Sequence, residues 1–323
     1  MLDSRPHSRP FLALAALSAL LLCGACHRTD VRASLASNSF LAGSNEPTML
    51  AVYLPWFGQP GHINVGYSSQ DRVVLEMQIE QAKRLGITGF VVNWYGARHA
   101  FEDRAYALLQ QVASEKGFKV ALMYDEPDSE PAAETDTVLA DLQYAYDHYI
   151  GPRAVVARDS YLQDQGRPMI FIFPKGAHVD WNQVRQNVDS WQTPPLLLMK
   201  DIHPQSANDF DGFYAWVNPG KQGWQHDSSN WGQQYLDSFY KTMALDYPNK
   251  IAVGAAWPGF DDSKASWSRN RKMDARCGRT FYDTLRLFRR YYDQQHPLPF
   301  LMIVTWNDFE EGTAIEHGVN TCK

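Results

Sequence analysis

Short apolar runs alternate with amphipathic segments along the chain from about Met49 to the C-terminus. The apolar runs end in Gly, Pro or polar residues, a pattern typical of buried strands. They predict eight strands, at Leu50–Leu54, Ile87–Val92, Phe118–Met123, Pro168–Phe173, Leu196–Met199, Phe213–Val217, Ile251–Ala256 and Phe300–Val304. The amphipathic segments predict six helices, at Val73–Leu85, Phe101–Lys116, Asp136–Tyr149, Trp181–Trp191, Trp231–Asp246 and Thr280–Tyr292.

This alternation of strands and helices predicts an α/β fold of the (β/α)8 barrel type. Only about a dozen residues follow Glu311, which is too few for an eighth helix of ordinary length. We therefore expect that helix to be missing or replaced by another segment. Because the C-terminal ends of all barrel strands meet on one face, side chains that follow different strands should converge on one cleft there.

The last predicted strand ends in a cluster of acidic side chains. Phe300–Val304 is followed by Thr305-Trp306-Asn307-Asp308-Phe309-Glu310-Glu311-Gly312. On a straight strand Asp308 and Glu311 would face opposite sides, so they converge only if the chain bends between them. Two carboxylates in a cleft can divide the work of a reaction, since one keeps its proton and the other stays ionised. We predict that they form a catalytic pair.

A capping box at the start of a helix would also place an Asp three residues before a Glu. That interpretation requires a helix with periodic apolar positions directly afterwards. The residues from Gly312 to Gly318 do not supply such a pattern.

Aromatic and polar residues near the strand ends are candidates for substrate contacts. Each has a structural alternative: an aromatic ring can cap the barrel core, a carboxylate can be a solvated loop acid, and an Asp after Pro-Gly can form a turn. Gly212 would let the backbone approach closely at Tyr214. The predicted substrate-binding residues of this kind are Trp56, Trp94, Glu126, Tyr214, Asp261 and Asn307.

The composition narrows the classes of function. A chain of 323 residues that is 45% hydrophobic can bury one large core. The net charge of −6 argues against nucleic acid as a partner. Aromatic residues make up 13%, which suits stacking on sugar rings, although most will serve the core. There is no His-Glu-x-x-His spacing, no Gly-rich phosphate loop and no nucleophile elbow, so we predict no metal and no cofactor.

The N-terminus is typical of a targeting segment. Basic residues precede an apolar stretch, Phe11–Leu22, which is too short to span a bilayer and suits a signal peptide. Leu22-Cys23-Gly24-Ala25-Cys26 resembles a bacterial lipobox, with Cys26 as the lipidated residue, and ordinary cleavage nearby is the alternative. We predict a signal peptide at 1–26, a flexible tether at 27–47 and a catalytic domain at 48–323. The chain would then be exported as a lipoprotein of the periplasm or outer membrane, or be secreted.

Cys277 and Cys322 are the two cysteines that remain after this segment. An exported compartment permits disulfides, so we predict that these two pair, with two free thiols as the alternative.

The closing stretch resembles the closing motif of glycoside hydrolase family 99, the endo-α-mannosidases, and the Trp-Asn-Asp motif of family 71, the α-1,3-glucanases. Similar motifs occur in the family order along the rest of the chain. They are Tyr53-Leu54-Pro55-Trp56-Phe57, Asp125-Glu126-Pro127, Phe210-Asp211-Gly212-Phe213-Tyr214 and Pro258-Gly259-Phe260-Asp261-Asp262.

The resemblance implies roles for individual residues. Glu311 matches the family 99 general acid, and Asp308 matches the carboxylate that deprotonates the sugar 2-hydroxyl. Glu126, Tyr214 and Tyr53 match residues that contact substrate. Two positions differ from family 99, because Asp308 stands in place of Glu and Glu310 in place of His. An Asp at the first position is similar to family 71, which implies an inverting reaction, so the stereochemistry and the choice between mannan and glucan stay open.

Two functions remain in competition. The first is an exported glycoside hydrolase that cleaves α-linkages in a mannan-like or glucan-like polysaccharide, with Glu311 as acid and Asp308 as base. The second is a non-catalytic glycan-binding accessory lipoprotein on the same fold. They differ in whether turnover depends on the two carboxylates.

Overall fold

Eight parallel strands close into a barrel in the computed structural model, which describes residues 46–126, 134–176, 178–219 and 231–322. The strands are β1 Thr48–Tyr53, β2 Gly89–Trp94, β3 Lys119–Asp125, β4 Arg167–Phe173, β5 Leu196–Lys200, β6 Gly212–Tyr214, β7 Ile251–Ala256 and β8 Phe300–Ile303. The barrel closes because β1 pairs with β8 as well as with β2, in a register that joins Thr48 to Phe300. The predicted (β/α)8 barrel is confirmed.

Six α-helices surround the barrel in the described part of the chain. They are α1 Arg72–Arg84, α2 Ala100–Glu115, α3 Glu134–Ala145, α4 Trp181–Asp189, α5 Gln233–Asp246 and α6 Arg279–Arg286. Asp71 begins α1 by accepting the N–H of Val73 at 2.9 Å, and Asp180 begins α4 by accepting the N–H of Gln183 at 3.0 Å. A short 3₁₀ segment, Pro204–Asp209, connects β5 to β6 in place of a longer helix.

The strands form the core because nearly all of their residues are buried. The side chains of β2 are buried on both faces, and the same holds for β8. Parallel strands that are covered by helices outside and packed side chains inside carry continuous apolar runs. This packing explains why the apolar runs located the strands.

No helix follows β8 within the described residues, as expected. The C-terminal segment instead runs from the side of α1 to the start of α6. Gln78 of α1 donates to Glu316 at 2.7 Å, and Cys322 forms a disulfide with Cys277. The predicted pairing is therefore present, and it joins the last described residue to the turn that precedes α6.

The predicted signal peptide, Cys26 and the tether up to residue 45 lie outside the described residues. None of the helices that the structure describes is both long and apolar enough to cross a membrane.

Candidate active site

The turn after β8 brings Asp308 and Glu311 to the C-terminal face of the barrel. Thr305 Oγ1 accepts the N–H of Asp308 at 2.8 Å, and the Asp308 carbonyl accepts the N–H of Thr313 at 3.0 Å. Gly312 has a φ of +65°, a conformation that glycine adopts without steric cost. The chain thus bends where the prediction required it, and both carboxylates line one cleft.

Asp308 is 4% exposed and also holds the turn together. Its Oδ1 accepts the backbone N–H of Glu310 at 3.0 Å and that of Glu311 at 2.8 Å. The carboxylate therefore caps N–H groups, as the competing interpretation required, but a turn follows it and not a helix. Oδ2 takes no part in these two bonds.

Burial raises the pKa of Asp308 well above its usual range, and the negative charge of Glu311 adds to that effect, while the two backbone N–H groups oppose it. Burial also raises the pKa of Glu311, although the Trp267 indole and the Arg271 guanidinium favour its charged form. Because the two carboxylates disfavour each other's ionisation, the pair retains one proton more readily than two isolated acids would. That is the charge state which acid–base catalysis needs.

Glu310 is buried and organises the loop after β1. Its Oε2 lies 2.9 Å from His62 Nδ1, and its Oε1 accepts the N–H of Ile63 at 3.1 Å. His62 lines the cleft and stacks on Trp56 with ring centroids 4.7 Å apart. Glu310 therefore holds one wall of the cleft, and its side chain does not join the catalytic pair.

The loop after β7 holds the Glu311 side of the turn. The N–H of Asp261 donates to the Glu311 carbonyl at 2.8 Å, while the Asp261 carboxylate contacts Lys272 and the N–H of Ser263. The Asp261 side chain does not line the cleft, so the predicted substrate contact is corrected. The backbone of Asp261 supports Glu311 instead.

Five other predicted substrate contacts lie outside the cleft lining, because each side chain is fully buried against other parts of the protein. The hydroxyls of Tyr53 and Tyr214 donate to Gln78 and to the Ile172 carbonyl, respectively. The Trp94 indole N–H donates to Asp103. Glu126 accepts the N–H groups of Lys175 and Gly176, and Asn307 bonds both the N–H and the carbonyl of Leu54. These residues position strands and loops, and the predicted contacts are corrected accordingly.

For Trp94 and Glu126 the reason is the alternation of side chains along a strand. Neighbouring residues face opposite sides, so a shift of one position exchanges an inward residue for an outward one. Asn93 and Tyr95 line the cleft beside the outward Trp94, and Asp125 lines it beside Glu126. The strand periods could have revealed these residues once the strand ends were known.

Trp56 does line the cleft, as predicted, although it is only 6% exposed because His62 covers one face of its ring. Its role as a substrate contact stays a prediction.

The cleft has a volume of about 1110 Å³, enough for several sugar rings. Cationic side chains that the sequence analysis did not select line one wall. Lys175 Nζ lies 2.5 Å from Asp125 Oδ1, and Lys200 Nζ lies over the Phe173 ring, 4.1 Å from its centroid. Other residues that line the cleft and were not among the predicted substrate contacts are Asn93, Tyr95, Asp201, Trp216, Trp267 and Arg271.

Among the described residues, no group of three or more His, Cys, Asp or Glu side chains is arranged to hold a metal ion.

The sequence of this chain matches the model of one protein family. The model of glycosyl hydrolase family 71 matches residues 63–318, which include both carboxylates of the cleft. No curated protein matches the chain.

Solved structures share the fold at low sequence identity. A GH99 endo-α-mannosidase from Bacteroides thetaiotaomicron, in complex with Bis-Tris propane, superposes with a TM-score of 0.64 at 19% identity, over 83% of this chain and 86% of that one. A second structure of a GH99 endo-α-mannosidase from that organism gives 0.63 at 18% identity, over 84% and 88%. A glycoside hydrolase-like protein gives 0.58 at 14% identity, over 87% and 91%.

Proposed function

The chain belongs to glycosyl hydrolase family 71, and from that membership and the geometry of the cleft we propose that it cleaves α-linkages within a mannan-like or glucan-like polysaccharide. As a glycoside hydrolase it acts on a polysaccharide or oligosaccharide. The main support for catalysis by a pair of carboxylates is that Asp308 and Glu311 share one turn in the cleft and that burial raises the pKa of both. Similarity in fold to endo-α-mannosidases supports the α-linkage and internal cleavage.

Glu311 is the general acid in this proposal. Its side chain is 17% exposed, so it can reach an oxygen of a bound glycan, while burial keeps it protonated at higher pH than a surface carboxyl. It transfers its proton to the glycosidic oxygen as the bond from that oxygen to the anomeric carbon breaks. Proton transfer from a positioned acid typically contributes about 10²–10⁴-fold to the rate.

Asp308 is the base. The N–H groups of Glu310 and Glu311 stabilise its carboxylate form when the shared proton resides on Glu311. It takes a proton either from a water whose oxygen bonds to the anomeric carbon, or from the sugar 2-hydroxyl whose oxygen does so. Direct attack by water inverts the configuration, whereas attack by the 2-hydroxyl followed by water retains it. The configuration of the first product in a ¹H NMR time course distinguishes these routes.

The test is release of reducing ends from a panel of α-mannans and α-glucans. Wild type is compared with Glu311→Gln and Asp308→Asn. Matched controls are Glu115→Gln and Asp159→Asn, which change exposed carboxylates at the opposite end of the barrel. We expect wild type to be active on one polymer. Both cleft variants should lose that activity, and both control variants should keep it. No activity of wild type on any polymer, together with unchanged glycan binding by the cleft variants, would favour the accessory binding protein instead.

We also propose export and attachment through lipid at Cys26. The Cys277–Cys322 disulfide supports an oxidising compartment. Mass spectrometry of the mature N-terminus should show a diacylated cysteine at position 26, and an unmodified N-terminus elsewhere would contradict the proposal.

A further inference from the structure

Trp267 is a large aromatic side chain that remains 40% exposed at the edge of the cleft. Its exposed face is an apolar surface at the edge of the cleft on which a ligand can stack. It lies in the loop between two short antiparallel strands, Phe260–Asp261 and Lys272–Met273.

The indole of Trp267 is fixed relative to Glu311. Its Nε1–H donates to Glu311 Oε1 at 3.0 Å. Its ring meets Trp56 edge-on, with centroids 5.8 Å apart and an interplanar angle of 69°. The ring therefore has a defined orientation beside the acid.

The loop that carries Trp267 is organised around the buried carboxylate of Asp262. Asp262 accepts the N–H of Arg271 at 2.8 Å, the Arg271 Nε–H at 2.8 Å and the N–H of Arg269 at 3.1 Å. None of these bonds involves the indole of Trp267. The exposed ring is thus held in place by its loop, as a preorganised binding surface requires.

Trp267 lies on the Glu311 side of the catalytic pair. The Glu311 carboxylate accepts the Trp267 indole N–H and lies 4.0 Å from the Arg271 guanidinium, and both of these residues belong to the loop after β7. Asp308 instead accepts the N–H groups of Glu310 and Glu311 within the turn after β8. Because Glu311 must reach the departing oxygen, the leaving group extends toward the loop after β7.

We propose that Trp267 is the platform for the sugar ring on the leaving-group side of the scissile bond. A pyranose ring stacks its C–H face on the indole, while the indole N–H holds the carboxyl of Glu311. This inference rests on the proposed function, since it presumes that Glu311 protonates the leaving oxygen.

Two substrates separate the platform from the chemistry. One is an oligosaccharide of the sugar that wild type cleaves, whose leaving group is a sugar. The other is an α-glycosyl fluoride in which fluoride replaces the sugar leaving group and the rest of the oligosaccharide is unchanged. Fluoride needs no platform. For Trp267→Ala we expect kcat/KM on the oligosaccharide to fall at least about 10-fold, and kcat/KM on the fluoride to stay within about 3-fold of wild type.

Trp267→Phe keeps an aromatic face and loses the N–H. Its KM for the oligosaccharide should stay near wild type, while the alkaline limb of its pH–rate profile moves to higher pH because the N–H no longer favours the charged form of Glu311. Tyr282→Ala, which removes an exposed ring on α6, is the matched control and should leave both rates unchanged. Thermal melts of each variant establish folding.

Equal losses on the two substrates in Trp267→Ala, or a wild-type rate on the oligosaccharide, would overturn the platform. Inactivity of wild type on both substrates would instead overturn the proposed function, and the inference with it.

Discussion

The backbone N–H of Glu311 donates a hydrogen bond of 2.8 Å to Asp308 Oδ1, so the two proposed catalytic residues are joined through the turn that carries them. Their separation is therefore set by the backbone and not by two independent strands. A turn that fixes both carboxylates keeps them near each other in spite of the repulsion between their charges.

Asp308→Asn should raise stability at neutral pH while it abolishes activity. The amide oxygen can still accept the two N–H groups, and the variant removes a carboxyl whose ionisation burial disfavours. Folding raises the pKa of this carboxyl. It therefore contributes stability below the pKa of about 4 that it has in the unfolded chain, and that contribution is lost as the pH rises through its pKa in the folded protein. The melting temperature of the variant minus that of wild type should grow between pH 4 and pH 8. A difference that is constant or shrinks over this range would contradict the raised pKa.

Asp262→Asn should have the opposite dependence on pH. Burial opposes the charge of Asp262, but the N–H groups of Arg269 and Arg271 and the Arg271 guanidinium more than offset it, so its pKa is lowered. We expect a loss of about 1–3 kcal/mol in the free energy of unfolding at pH 7 that diminishes below pH 4. Denaturant titrations at several pH values measure this. The value of kcat/KM should fall as well, because the loop positions Trp267. An unchanged kcat/KM would show that the loop does not contribute to the active site.

Asn307→Ala tests the corrected role of that residue. It leaves the N–H and carbonyl of Leu54 without their buried partners, which should cost about 2–3 kcal/mol in the free energy of unfolding. KM at a temperature well below the melting point should not change, because Asn307 does not line the cleft. Asn182→Ala on the exposed face of α4 is the control. A large rise in KM with unchanged stability would restore the predicted substrate contact.

The sequence located the strands and helices because buried parallel strands and amphipathic helices have different apolar periods. It also located Asp308 and Glu311, since clustered acids directly after a buried strand have few structural uses. The same reasoning chose the wrong member of neighbouring pairs, such as Glu126 in place of Asp125. The apolar run that located β2 ends at Val92, whereas the strand extends to Trp94, so the run did not show which of the polar and aromatic residues beyond it face the cleft.

Trp267 and Arg271 were out of reach for a different reason. Their position depends on hydrogen bonds from a loop to one buried carboxylate, and such a loop has no period in the sequence. In the sequence, Asp262 stood out only as the last residue of the Pro258–Asp262 motif. Its organising role becomes visible when the N–H groups that it accepts are located.

The most direct test of the central claim compares Glu311→Gln on two leaving groups. The rate on the polysaccharide that wild type cleaves is measured beside the rate on the α-glycosyl fluoride of the same sugar. If Glu311 is the general acid, kcat/KM on the polysaccharide falls about 10²–10⁴-fold, while the fluoride, which departs without a proton, is cleaved at close to the wild-type rate. Equal losses on both substrates, or an undiminished rate on the polysaccharide, would contradict the assignment of Glu311 as the acid of this hydrolase.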